Sequence, residues 1–268
     1  MRSKLWTKTN AETYVPDEWL SLLECTRKRS DLNSRLMLVI GGVDSGKSTL
    51  VQYLVRTGGQ EETVAWLDGD LGQSVMGPPG TLSLGMPSVA VSEGEPSVIT
   101  RFVGDVSPAG NLVQVMSALL NLVQRGRANN SVDRILVDSS GFVHGKMAEE
   151  FKINLVEALK PLFLVVLEKE ERELSVVADA FRADPSVEIH QPRIDAGALR
   201  QKTRAERADY RRQCFEEYFG NAERVEIDVN TKGVHGFVPY QSASSEEGRL
   251  VGLLNKDHDM LAMGVLRY

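Results

Sequence analysis

Ile40-Gly41-Gly42-Val43-Asp44-Ser45-Gly46-Lys47-Ser48-Thr49-Leu50 is the stretch whose reading decides the fold of this chain. Gly41, Gly46, Lys47 and Ser48 fill the pattern G-x-x-x-x-G-K-[ST] of a phosphate-binding P-loop. The apolar run Leu36 to Ile40 leads in and a helical pattern leads out, which is the strand, loop and helix setting that the motif needs. Glycines let backbone N–H groups turn inward around a phosphate, and the new helix aims its positive end at the same point. Gly41, Asp44, Ser45 and Gly46 are therefore expected to line a phosphate cradle, Lys47 to reach the β- and γ-phosphates, and Ser48 to hold Mg²⁺.

Outward from the loop, short β-branched runs alternate with helical patterns, the mark of parallel strands joined by crossover helices. Strands are predicted at Leu36 to Ile40, Val64 to Leu67, Val98 to Val103, Ile135 to Val137, Leu162 to Leu167 and Val187 to Ile189. One helix is predicted to start with Ser107 as cap and Pro108 in the first position, and another to span Glu149 to Leu159. The segment from Gly77 to Pro96 has no period and reads as a long loop. The fold class is α/β, a P-loop NTPase-type parallel sheet with flanking helices. An N-terminal segment at 1–34, opened into a short helix by Pro16-Asp17-Glu18, precedes the P-loop domain at 35–222. The short apolar runs VEIDV, GRLVGLL and MLAMGVL read as a small β appendage at 223–268.

Composition narrows the function. A chain of 268 residues is long enough to bury a sizeable core. With 31 basic and 37 acidic residues the net charge is −6, so a polyanion partner needs a local basic patch. Cys25 and Cys214 form no C-x-x-C pair, which fits a reducing compartment and argues against a zinc or disulfide framework. No apolar run approaches a membrane span and no signal peptide is indicated, so the expected location is cytoplasmic, with no membrane partner.

Three acids stand at strand ends. Val64 to Leu67 runs into Asp68-Gly69-Asp70-Leu71-Gly72-Gln73, at the carboxyl edge where an open α/β sheet presents its crevice. In phosphoryl transfer to a hydroxyl, one carboxylate takes the proton of the nucleophile while another steadies the metal, and Asp70 and Asp68 are able to divide those tasks. Asp138, after Arg134 to Val137, reads as a Walker-B carboxylate and competes with Asp68 for the same Mg²⁺. The patch of opposite sign lies between Arg193 and Arg212, where seven basic and three acidic residues give +4. Arg200, Arg204, Arg207 and Arg211 recur at spacings of four, three and four, one stripe if all are helical, with Glu206 and Asp209 off the stripe. Such a row is suited to phosphate oxygens.

In order along the chain, GGVDSGKST, DGDLGQ with PPGTLSL, RFVGDVSPAGN, DSSGFVHG and an arginine helix ending in EEYFG resemble the P-loop polynucleotide 5′-hydroxyl kinases. That family includes the kinase subunit of mRNA 3′-end cleavage and tRNA splicing machinery and the kinase of ribosomal-RNA processing. The resemblance implies that Lys47, Ser48 and Thr49 bind ATP and Mg²⁺, that Asp70 is the base, and that Asp68 supports the metal shell. It implies that Gln73 lies near the acceptor. Ser139, Gly141 and Phe142 fall on the family's clasp motif T-x-G-W, which grips a nucleic-acid end; serine stands for threonine and phenylalanine for tryptophan. Arg200, Arg204 and Arg207 match the lid that clamps the phosphates. The leading expectation is an ATP- and Mg²⁺-dependent kinase acting on single-stranded or end-accessible RNA or DNA with a 5′-hydroxyl. A non-catalytic ATP-bound scaffold, an NTPase and a small-molecule kinase are the alternatives.

Overall fold

The computed structural model describes residues 16–27, 36–59, 62–86, 97–169, 174–192, 197, 199–228, 233–235 and 247–267. Strand β1 (Leu36–Gly41) is buried along its whole length and splits its side chains between two cores. Leu36, Leu38 and Ile40 face one and Met37 and Val39 the other. A strand covered on both faces has no polar position to offer, and for this reason it reads as an unbroken apolar run. Each such side chain contributes about 2 kcal/mol on burial.

Around β1 lie β2 (Val64–Gly69), β3 (Thr81–Met86), β4 (Ser97–Phe102), β5 (Arg134–Ser139), β6 (Phe163–Leu167) and β7 (Glu188–His190). They form a seven-stranded sheet in the order β4-β3-β2-β5-β1-β6-β7. The run from β2 to β7 is parallel, while β3 pairs antiparallel with both β2 and β4. The sheet is mostly parallel, as expected, with two antiparallel pairings at one edge. The order reverses at β1, and the crevice at the carboxyl ends of β1, β2 and β5 is where ligands of such sheets bind.

Helices α3 (Leu112–Ala128), α4 (Lys146–Leu159) and α5 (Ser175–Phe181) cover one face. On the other lie α1 (Asp17–Arg27) and α2 (Lys47–Gly58), joined by Trp19 tilted on Tyr53. α3 begins at Leu112 and not beside Pro108, because Asp105 accepts from Ser107 N and Asn111 Nδ2 and so holds residues 105 to 111 in a turn. Part of the predicted long loop is β3, a fully buried strand, and residues 87–96 lie outside the described ones.

Helix α6 (Arg204–Phe219) follows, then a two-stranded hairpin of β8 (Leu250–Leu254) and β9 (Met260–Val265). Val225 to Asp228, predicted as part of the β appendage, is exposed and belongs to neither sheet. The hairpin rests on edge strand β4: Gly252 lies so close to Phe102 that an added Cβ would sit 2.6 Å from its ring, and Arg101 pairs with Asp259 at 3.4 Å. Met263 N donates to Tyr218 Oη at 2.9 Å, which ties the hairpin to α6 as well. No helix among the described residues is long and apolar enough to cross a membrane.

Candidate active site

The loop from β1 into α2 is closed by glycine geometry. A Cβ on Gly41 would meet the Leu167 carbonyl at 2.7 Å, and Gly46 has φ +87°, where a side chain is strained. Gly46 caps α2 without a side-chain bond of its own, so the capping residue leaves the first N–H groups of the helix to another acceptor. Lys47 is buried and donates to the Gly42 carbonyl at 2.6 Å, which holds its ammonium across the mouth of the loop. Burial lowers its pKa, and the fields of Asp138 and Asp70 oppose that shift. A cradle of free N–H groups with a cation over it is an anion site by construction. Gly41, Ser45, Gly46, Lys47 and Ser48 lie along this one loop and the start of α2, with Thr49 exposed on its first turn.

Asp138 ends β5 beside this loop. Its carboxylate accepts from Ser48, is almost fully buried, and has no hydrogen-bond partner for Oδ1 among the described residues. Burial pushes its carboxyl up to about 7, with Lys47 pulling down and Asp68 pushing further up. A hydroxyl and an orphaned carboxylate oxygen, both hard donors, fit Mg²⁺ bound jointly with phosphates. No cluster of three His, Cys, Asp or Glu able to hold a metal exists among the described residues, so phosphate oxygens would have to complete the shell.

Asp68 has a different occupation from the one expected. Its Oδ1 accepts from Asp70 N at 3.2 Å, and its Oδ2 from Ser74 Oγ at 2.9 Å, Val75 N at 2.7 Å and Met76 N at 3.3 Å. These bonds shape the acidic turn and leave no oxygen idle for a metal. Burial still pushes its carboxyl up to about 6, and the backbone bond from Val75 opposes the shift. Asp70 is the acid that this turn presents. Oδ1 accepts from Gly72 N and Gln73 N, both at 2.9 Å, and Oδ2 has no partner among the described residues. The carboxylate is thereby oriented with one oxygen available.

The lid is docked, and its arginines are not one stripe. Thr203 and Glu206 form a capping box that starts α6 at Arg204, so Arg200 lies in the extended lead-in. Glu206, expected off the stripe, pairs with that arginine at 3.0 Å. Arg204 is exposed at the first turn. Arg207 donates to Asp44 Oδ2 at 2.6 Å, and Lys202 N donates to the same oxygen at 2.9 Å. Asp44 is therefore a link from P-loop to lid more than a wall of the phosphate cradle. Gln73, expected at the acceptor, also meets the lid: Nε2 donates to the Arg207 carbonyl at 3.5 Å and Oε1 accepts from Lys202 Nζ at 3.4 Å. Tyr210 Oη donates to the Ser74 carbonyl at 2.7 Å, and burial raises its pKa. Between P-loop, lid and clasp loop lies a cavity of about 250 Å³, lined by Val43, Asp44, His144, Lys169, Gln201, Lys202 and Arg207.

The clasp residues are packed closely. A Cβ on Gly141 would lie 2.7 Å from Val43 Cγ2, so the clasp loop abuts the P-loop with no space for a side chain. Phe142 is half-buried, its ring 6.4 Å from that of Phe151. Ser139, expected on the substrate, is buried and accepts from Lys152 Nζ at 3.0 Å; its hydroxyl serves the interior. Lys152 escapes a search for motifs, yet Ala148, Leu155 and Leu159 at helical spacing put it on the buried face of α4.

The described geometry matches a known group. The family model of the mRNA cleavage and polyadenylation factor CLP1 P-loop covers residues 41–221, well over half of the chain. The chain belongs to the CLP1 P-loop family. Among relatives of this family, a polyribonucleotide 5′-hydroxyl-kinase of Pyrococcus furiosus is 30% identical over 79% of this chain and 58% of its own length. One of Methanocaldococcus jannaschii is 28% identical over 90% of this chain and 65% of its own. A solved structure of wild-type Clp1p in complex with a segment of Pcf11p shares the fold with a TM-score of 0.61 at 15% identity, over 76% of this chain and 54% of that one. The chain thus spans about three fifths of the length of the curated CLP1-family relatives it matches.

Proposed function

We propose that this chain is an ATP- and Mg²⁺-dependent kinase that phosphorylates the 5′-hydroxyl end of RNA or DNA. The observation that carries the proposal is Asp70, held by Gly72 N and Gln73 N with Oδ2 available, in the same electrostatic field as the P-loop Lys47. A hydrolase with a water nucleophile needs no loop that grips a nucleic-acid end, whereas the stretch from Ser139 to Phe142 abuts the P-loop and bears an aromatic face. The family and the names of its relatives support the same chemistry.

In this mechanism the N–H groups at the start of α2 and Lys47 bind the β- and γ-phosphates. Ser48 and Asp138 would hold Mg²⁺, which supplies neutralisation of phosphate oxygens. Asp70 Oδ2 accepts the proton of the terminal hydroxyl as its oxygen forms a bond to the γ-phosphorus. The bond from that phosphorus to the bridging oxygen breaks and ADP leaves. Arg204, with Arg207 and Arg200 once they exchange their acidic partners, offsets the charge spread over the equatorial oxygens. Phe142 offers a stacking face to the terminal base. The two separated free cysteines support a cytoplasmic location.

One observation favours the scaffold reading: Arg200 and Arg207 already have acidic partners within the chain. Offering ATP and Mg²⁺ with 5′-hydroxyl RNA and DNA oligonucleotides separates the two. A 5′-phosphorylated product, lost in Lys47→Ala, is the expected result. ATP bound tightly with neither oligonucleotide labelled would overturn the kinase in favour of the scaffold. Asp70→Asn is expected to lower kcat by about 10²- to 10⁴-fold with little change in ATP affinity.

A further inference from the structure

Lys152 is a cation in the core. Its side chain is fully buried on α4, and its ammonium donates to Ser139 Oγ at 3.0 Å and to the Ser140 carbonyl at 2.7 Å. It forms no ion pair with a carboxylate among the described residues; the acids whose field reaches it are Asp70 and Asp138, and the like charge is Lys47. Burial pushes its pKa down to about 7. An ammonium in that position costs the fold more than a methionine of similar size would. Its return must come from what it holds, and what it holds is one junction: Ser139 ends β5 and Ser140 begins the loop bearing Gly141 and Phe142. The next residue, Gly141, is fitted against Val43 with no space for a side chain, so the P-loop backs this loop on one side and a released junction can shift only away from it.

Resting on the polynucleotide-kinase reading, we propose that Lys152 is a positioning residue of the acceptor half of the site, whose hydrogen bonds to Ser139 and Ser140 set where the clasp loop and Phe142 meet the incoming 5′ end. The donor half does not depend on it, because Lys47 is held by Gly42 and the lid by Asp44.

The test uses the full chain and separates the two substrates. Lys152→Met keeps the volume and removes the donors, and Lys152→Gln restores one of them. With the 5′-hydroxyl oligonucleotide varied at saturating ATP, Lys152→Met is expected to raise its KM about tenfold or more. With ATP varied, KM and the affinity for a fluorescent ATP analogue stay within about twofold of wild type, a split that general loosening of the fold would not produce. Lys152→Gln recovers part of the acceptor KM. Ser139→Ala removes one of the two acceptors from the other side and is expected to shift the acceptor KM in the same direction, so the proposal remains testable should neither Lys152 variant fold. Wild-type kinetics in Lys152→Met, or equal losses for both substrates, overturns the role of Lys152 and leaves the kinase reading standing. A wild-type chain that labels no oligonucleotide overturns the kinase reading, and this role with it.

Discussion

Replacing Asp138 by asparagine is expected to stabilise the ligand-free protein while removing the chemistry proposed for it. The wild-type carboxyl is buried, its Oδ1 has no partner, and burial moves its pKa from 3.8 to about 7. Through that window the folded protein keeps a proton that the unfolded chain has released, so stability falls as pH rises and the full penalty is present above the folded value. A gap of about three units corresponds to about 4 kcal/mol, and asparagine carries none of it. The attraction of Lys47 is already contained in that gap; part of the gain is returned because the buried asparagine amide is left with unpaired donors. In EDTA and without nucleotide, Asp138→Asn is therefore expected to be more stable than wild type by about 2 to 4 kcal/mol at about pH 8. The difference should shrink to about 1 kcal/mol near pH 5, where only the first part of the window has been crossed. Urea unfolding followed by tryptophan fluorescence at the two pH values measures both numbers. A variant no more stable than wild type at the higher pH, or an equal gain at both, refutes the reasoning. Saturating ATP and Mg²⁺ should stabilise wild type by mass action and the variant far less, which closes the gap from the other side.

Three further outcomes follow from the contacts. Arg207→Ala removes a part-buried pair with Asp44, so amide exchange in α6 should speed up by about tenfold and kcat should fall. Tyr210→Phe deletes only the hydroxyl bond to the Ser74 carbonyl and should cost about 1 kcal/mol in urea unfolding. Gly141→Ala drives a methyl against Val43, whose backbone N lies 3.0 Å from the new Cβ, and should cost about 1 to 3 kcal/mol and weaken ATP binding measured by calorimetry.

What could be read from the sequence was local or fully buried. The P-loop is a contiguous motif, and β1, β2, β5 and β6 are short buried runs whose composition has no other use. β3 was hidden because Gly77-Pro78-Pro79-Gly80 announces a loop, while Thr81 to Met86 owes its strand state to the antiparallel neighbours on either side. The arginine stripe failed for a reason written in the chain: Thr203-Arg204-Ala205-Glu206 is a capping box, and it starts the helix after Arg200. At the site, the strand-end positions of Asp70 and Asp138 were legible, whereas the division of labour was not. Nothing local distinguishes Asp68, both of whose oxygens are engaged by its own turn, from Asp70, which keeps one oxygen idle. The Asp44 to Arg207 link joins residues far apart in sequence and no periodicity encodes it.

Helix α6 contains no fully buried residue. Sixteen residues at 1.5 Å each make a rod of about 24 Å that carries its own cap and contributes little to the core. The hydrogen bonds that fasten it at Asp44, Ser74 and Met263 are part-buried polar contacts. Only the Arg207 to Asp44 contact is ionic, and a part-buried pair at 2.6 Å is screened little by salt, whereas the two tyrosine bonds are neutral. The cover of this site is accordingly held by a few polar contacts and the sheet beneath it by apolar burial, so release of the rod and unfolding of the body are separable events in the same molecule.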